Sequence, residues 1–140
     1  YTKNKKLLKI IYSSNLPKKY RIYFKKHPHD LDKYYNFNLL YTSKPIRDLV
    51  SDFNIIISST STSAIMEFLR YKKKVFVFDD EDDVNLSPTK SFNYPLTFQN
   101  LNDLNKVLNK NMIKSKIIKK LQNYYFLDKN LNKWKKILKI

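Results

Sequence analysis

Two short unbroken apolar runs constrain this chain more than any other feature. Residues 54–57, headed by Asn54, and residues 75–78, closed by Asp79-Asp80, carry no polar alternation. Such runs read as strands buried on both faces, the setting of a parallel sheet covered by helices. Between them lies a helical pattern over 64–71, with Ile65, Phe68 and Leu69 as its apolar face. The order strand, helix, strand with both strands buried is the unit from which α/β sheets are built.

The flanking sequence extends the pattern. A short apolar run at 7–12 follows a basic lead and reads as a helix, which Asn15-Leu16-Pro17 interrupts. Residues 20–25 alternate and read as a strand. It ends at His27-Pro28, because proline cannot donate to a ladder and restricts the residue before it. A second short strand is expected at 38–41 and a helix over 45–50, with Pro45 near its first position. After the run at 75–78 comes a long loop over 80–94, a short strand at 96–98, and a helix marked by Leu101, Leu104, Val107 and Leu108. A further helix is marked by Ile113, Ile117, Ile118, Leu121 and Tyr125. A last one over 130–140 has Leu131, Trp134, Ile137 and Leu138 on one face. The expected architecture is a single α/β domain over 1–140, a Rossmann-like parallel sheet with helices on both faces and a helical tail.

Composition narrows the functions open to such a fold. The chain has 140 residues and no cysteine, which excludes disulfides and thiolate metal sites. It has no glycine, so neither a Walker-type nor a dinucleotide Gly-rich loop exists. No apolar stretch is long enough to span a bilayer, and no signal-peptide pattern is visible. A cytoplasmic protein is expected, with peripheral contact to a membrane surface. The net charge of +16 suggests an anionic partner. Lysine far outnumbers arginine, however, and Asn, Ile and Tyr are abundant, as AT-rich codons alone would produce. Nucleic acid is therefore not expected as a partner. Contact with anionic lipid, worth roughly 1 kcal/mol per basic residue near the surface, fits better.

Ligands of open parallel sheets bind at the carboxyl ends of strands. Three segments fall there. The first is the hydroxyl run Ser58-Ser59-Thr60-Ser61-Thr62-Ser63, which leads into a helix. Helix-start amides carry partial positive charge, and small hydroxyl residues add donors, so Ser59, Thr60, Ser61, Thr62 and Ser63 suit a phosphate. One such residue would suffice for plain capping. The second is Lys25-Lys26-His27-Pro28. Lys25 supplies charge, and His27 brings an imidazole, the side chain suited to donating to a phosphate or taking a proton near neutrality. The third is the loop from Asp79 to Pro88, with Asn85 and Ser87. Glu67 lies one helical turn after Ser63, on the same face, where it can accept from ribose or sugar hydroxyls. The acidic run Asp79-Asp80-Glu81-Asp82-Asp83 lacks the EF-hand pattern and reads as a solvated turn, so no metal is expected.

These segments resemble a known family. Lys25-Lys26-His27-Pro28 resembles the K-x-H-P segment of bacterial surface-carbohydrate glycosyltransferases, including sialyltransferase-like and CDP-glycerol-transferase-like groups. Thr62-Ser63-Ala64 with Glu67 is similar to their T-S-A-x-x-E helix opening. Asn85-Leu86-Ser87-Pro88 resembles an N-L-S-P segment, and Phe126-Leu127-Asp128 with Leu131 and Trp134 a closing F-L-D…L-x-x-W signature. The resemblance covers about residues 20 to 138. It implies a GT-B fold, of which this chain would be the carboxyl-terminal, donor-binding half. The implied partners are a nucleotide-sugar donor, a carbohydrate acceptor and an amino-terminal acceptor domain absent from the chain, without which no turnover is expected. It further implies that His27 and the hydroxyl run contact the nucleotide phosphates, that Glu67 contacts ribose or sugar, and that Asn85 to Pro88 line the donor pocket. A nucleotide-sugar epimerase, a glycerophosphotransferase on the same fold, or a basic nucleic-acid- or membrane-binding module are the alternatives. The chain departs from the family where Tyr71 to Lys74 and Ser91 stand at places the family commonly gives to glycine. A residue with a Cβ in a left-handed turn costs on the order of 1 kcal/mol or more.

Overall fold

The computed structural model describes residues 2–27, 30, 32–85, 87–91, 93–110 and 132–139. The chain is an α/β protein with two short parallel sheets. Helix α1 (Thr2–Ser13) leads into a single helical turn, α2 (Leu16–Lys19). Strand β1 (Tyr23–Phe24) pairs in parallel with β2 (Leu40–Tyr41), and α3 (Ile46–Leu49) follows. Strand β3 (Ile56–Ser59), helix α4 (Ala64–Arg70) and strand β4 (Val75–Phe78) form a parallel crossover unit. A one-turn helix α5 (Pro88–Ser91), strand β5 (Thr97–Phe98) and helix α6 (Leu101–Leu108) complete the order to residue 108, and α7 (Asn132–Leu138) lies near the end. The second sheet runs β3-β4-β5, with β4 in the middle.

The middle position explains why β4 buries all four of its side chains, whereas β3 at the edge buries only Ile56 among its four. Around β4 gathers the core: Ile65, Phe68 and Leu69 from α4, Phe98 from β5, Leu104 and Val107 from α6, and Leu7 and Ile11 from α1. Each large apolar side chain so buried contributes about 1.5–3 kcal/mol. The phenol of Tyr94 donates to the carbonyl of Val75 at 2.9 Å, and burial pushes its pKa above the ordinary value.

Several expected boundaries shift, for local reasons. The basic lead before Leu7 is helical, because Asn4, Lys5 and Lys6 find partners on neighbouring loops. The expected break falls at Ser14 and Asn15, and Pro17 sits in the first turn of the short helix α2 that follows, where its missing N–H costs little. Strand β3 begins two residues later than expected, which makes Ser58 and Ser59 strand residues opposite Val77 and Phe78. The loop at 80–94 contains α5, whose first turn Ser87 caps: its hydroxyl accepts from the amide of Thr89 at 3.2 Å. The sheet expected to be single is divided, since β1 and β2 pair with each other and not with β3. An edge-on contact of Tyr23 with Phe53, 5.1 Å between ring centres, joins β1 to the segment leading into β3. The helix expected around residues 113–125 and the segment 126–128 lie outside the described residues. No described helix is long and apolar enough to cross a membrane.

Candidate functional site

The site is built from the carboxyl ends of β3 and β4. Their register places Ser59 opposite Phe78. The amide of Thr60 then donates to the carbonyl of Phe78 at 3.1 Å, which ties the hydroxyl-rich turn to the end of β4. The hydroxyl residues divide by role. Thr60 turns inward and is 3% exposed. Thr62 caps α4, its hydroxyl accepting from the amide of Ala64 at 3.2 Å. The hydroxyls of Ser59 and Ser61 pair at 3.0 Å. Ser63 makes no capping bond through its side chain and is exposed, as is Ser61. Capping thus uses Thr62, and the turn presents Ser61 and Ser63 to solvent beyond that need. Glu67 is exposed one turn further along α4, while Ile65, Phe68 and Leu69 face the core.

The neighbouring loop after β4 is held by its own side chains. Asn85 donates to a carboxylate oxygen of Asp79 at 2.8 Å, and its side-chain oxygen accepts from the amide of Ser87 at 2.9 Å. Ser87 is buried, with its hydroxyl 2.6 Å from that of Thr89. The structure therefore gives Asn85 and Ser87 a loop-shaping role, and the hydroxyl of Ser87 points away from solvent. Leu86 lies outside the described residues. Asp80, expected in a solvated turn, is 6% exposed. The Lys6 ammonium lies 2.5 Å from it and 2.9 Å from Asp82. Hydrogen bonds to Asp80 and then Asp82 raise Lys6 above its ordinary pKa. A buried carboxylate needs such a partner, because an uncompensated buried charge is strongly destabilising. Among the described residues, no three His, Asp or Glu side chains gather as metal ligands would.

The segment after β1 reaches the same helix. Asn4 donates to Asp30 at 2.9 Å, and the Tyr34 phenol donates to the same Asp30 oxygen at 2.6 Å. Lys5 lies 3.6 Å from Asp32. Burial alone would raise Asp30, but the bonds from Tyr34, the amide of Asp32 and Asn4 hold it below its ordinary value. Burial and that same carboxylate push Tyr34 up to about 12. Lys25 donates to the carbonyl of Lys44 at 2.9 Å, and Lys26 to that of Asp32 at 2.7 Å. His27 is exposed, and its carbonyl accepts from the amide of Asp30 at 2.9 Å. Pro28 lies outside the described residues.

The first turns of α1 therefore join the loops that follow β1 and β4. The hydroxyl turn is tied to the end of β4, from which the Asp79–Ser87 loop departs, and the Lys25–His27 segment is linked to that loop through α1. Sequence reading missed this link. Its signal was the basic pair Lys5-Lys6 ahead of an apolar run, complementary in charge to the acidic run at 79–83. Comparison of the chain with family models, curated proteins and solved structures gives no match in any of the three.

Proposed function

We propose that the chain is the nucleotide-sugar-binding part of a GT-B-type glycosyltransferase. It would act on the cytoplasmic side and transfer a sugar to a surface polysaccharide or lipopolysaccharide acceptor. One observation carries this reading: a hydroxyl-rich turn stands at the carboxyl end of a parallel strand–helix–strand unit and presents more hydroxyls than its helix needs for capping. Anionic ligands of parallel sheets take this place.

In the reaction an acceptor hydroxyl attacks the anomeric carbon, and the nucleotide leaves with the bonding electron pair on its phosphate oxygen. Ser59, Ser61 and Ser63 donate to the phosphates. Lys25 and His27 place positive charge and a further donor beside the leaving group, stabilising charge that develops in the transition state. Glu67 accepts from ribose or sugar hydroxyls, while Asn85 and Ser87 keep the adjacent loop in shape. The acceptor site and the base that deprotonates the acceptor come from a second domain. The donor is a co-substrate, and the mechanism requires no metal.

A thermal-shift screen against CMP, CDP, UDP, GDP and their sugars tests this. One nucleotide series should stabilise the chain by about 2.7 kcal/mol at 100 times its dissociation constant. The double substitution Ser61→Ala/Ser63→Ala should weaken that series without lowering the melting temperature of the free chain. If no nucleotide shifts the transition, the transferase reading fails.

A further inference from the structure

The last described helix has no role in the site, and its surface is unlike that of the other helices. In α7, Ile137 is 70% exposed and Leu138 58% exposed, while Lys135, Lys136 and Lys139 are also exposed. At 3.6 residues per turn the positions of Trp134, Ile137 and Leu138 fall within an arc of about 100°. The positions of Lys133 and Lys135 border that arc, and those of Asn132 and Lys136 lie opposite. Lys139, with φ 52, ends the helix in a left-handed turn. The segment from residue 129 to 140 holds no acidic residue.

We infer that α7 is a docking surface for an anionic lipid bilayer. A helix with an apolar stripe, a tryptophan on that stripe and lysines along its borders lies in the plane of a membrane interface. The Ile137 and Leu138 side chains enter the boundary between headgroups and acyl chains, and the Lys135 stem extends so that its ammonium group meets lipid phosphates. Charge selects this occupant. Pairing with a second copy through the same stripe would bring two sets of lysines together with no carboxylate between them. A nucleic-acid backbone would neutralise the lysines but leave Ile137 and Leu138 against charged phosphates. A bilayer satisfies both halves of the surface.

Trp134 is the only tryptophan of the chain, so its fluorescence reports on this helix alone. The experiment mixes the full chain with vesicles of phosphatidylcholine, or of phosphatidylcholine and phosphatidylglycerol. Emission should move to shorter wavelength with the anionic vesicles and stay in place with the neutral ones. Lys133→Gln/Lys135→Gln should weaken partitioning roughly 30-fold, the equivalent of about 1 kcal/mol for each charge. Ile137→Asn/Leu138→Asn should abolish the shift and leave the melting temperature unchanged, since both side chains are exposed. The inference is overturned if anionic vesicles leave the emission unmoved, or if Ile137→Asn/Leu138→Asn binds as the parent does. It is equally overturned if the shift follows protein concentration without lipid, or a DNA duplex in place of vesicles. These outcomes are independent of nucleotide binding.

Discussion

Lys72 occupies the left-handed position that ends α4, with φ 58. Its amide donates to the carbonyl of Leu69 at 2.9 Å, and the amide of Lys73 donates to that of Phe68 at 3.1 Å. This is the paired closure in which glycine is usual, because a Cβ meets the following carbonyl. The left-handed conformation costs an ordinary residue roughly 1–2 kcal/mol. Glycine would remove that cost but give the unfolded chain more freedom, an offset of about 0.5–1 kcal/mol. Lys72 is exposed, so its replacement sacrifices no packing. Lys72→Gly should therefore stabilise the chain by up to about 1.5 kcal/mol. Urea denaturation should show a higher midpoint with an unchanged slope. Lys72→Val, with a β-branched side chain where one is least tolerated, should lower the midpoint. If the glycine variant is less stable than the parent and the valine variant equals it, the left-handed closure is not what joins α4 to β4.

Thr62→Ala should cost about 0.5–2 kcal/mol as the loss of a helix cap, and Ser63→Ala should stay within about 0.5 kcal/mol; chemical denaturation separates the two, and equal losses would contradict the division of roles in the hydroxyl turn. Phe98→Ala should cost about 3–5 kcal/mol, since Phe98 is buried with its ring centre 5.6 Å from that of Phe78; retained stability would mean that the sheet does not close on β5. Tyr34 has its pKa raised in the folded state from 10.0 to about 12, so its contribution is complete below pH 10 and is lost as pH rises from 10 to 12. The stability gap between the parent and Tyr34→Phe should narrow over that window by at most about 1.4 kcal/mol per pH unit, less where water screens the phenol. A gap that is the same at pH 8 and pH 11 would show that the phenol is not held by Asp30.

The sequence alone determined the local units, because their causes are local. Four consecutive apolar residues at Val75–Phe78, too few for a helix and all β-branched or aromatic, point to a fully covered strand, and β4 is that strand. The spacing of Ile65, Phe68 and Leu69 set which face of α4 is buried. The left-handed position between α4 and β4, which Lys72 takes, was expected only from the family resemblance, which puts a glycine within Tyr71 to Lys74. The limits of β3 were not legible, since Ser58 and Ser59 join the strand by pairing with β4, a partner distant in sequence. Nor were the roles within the hydroxyl run: six similar residues have similar propensities, and only the packing of β4 beside them decided that Thr60 turns inward while Ser61 and Ser63 face water. The tertiary structure alone decided that Asp80 leaves solvent to meet Lys6, 74 residues away in the chain. Burial of a carboxylate is tolerable only where a distant cation is brought to it, and no periodicity in the sequence encodes that meeting.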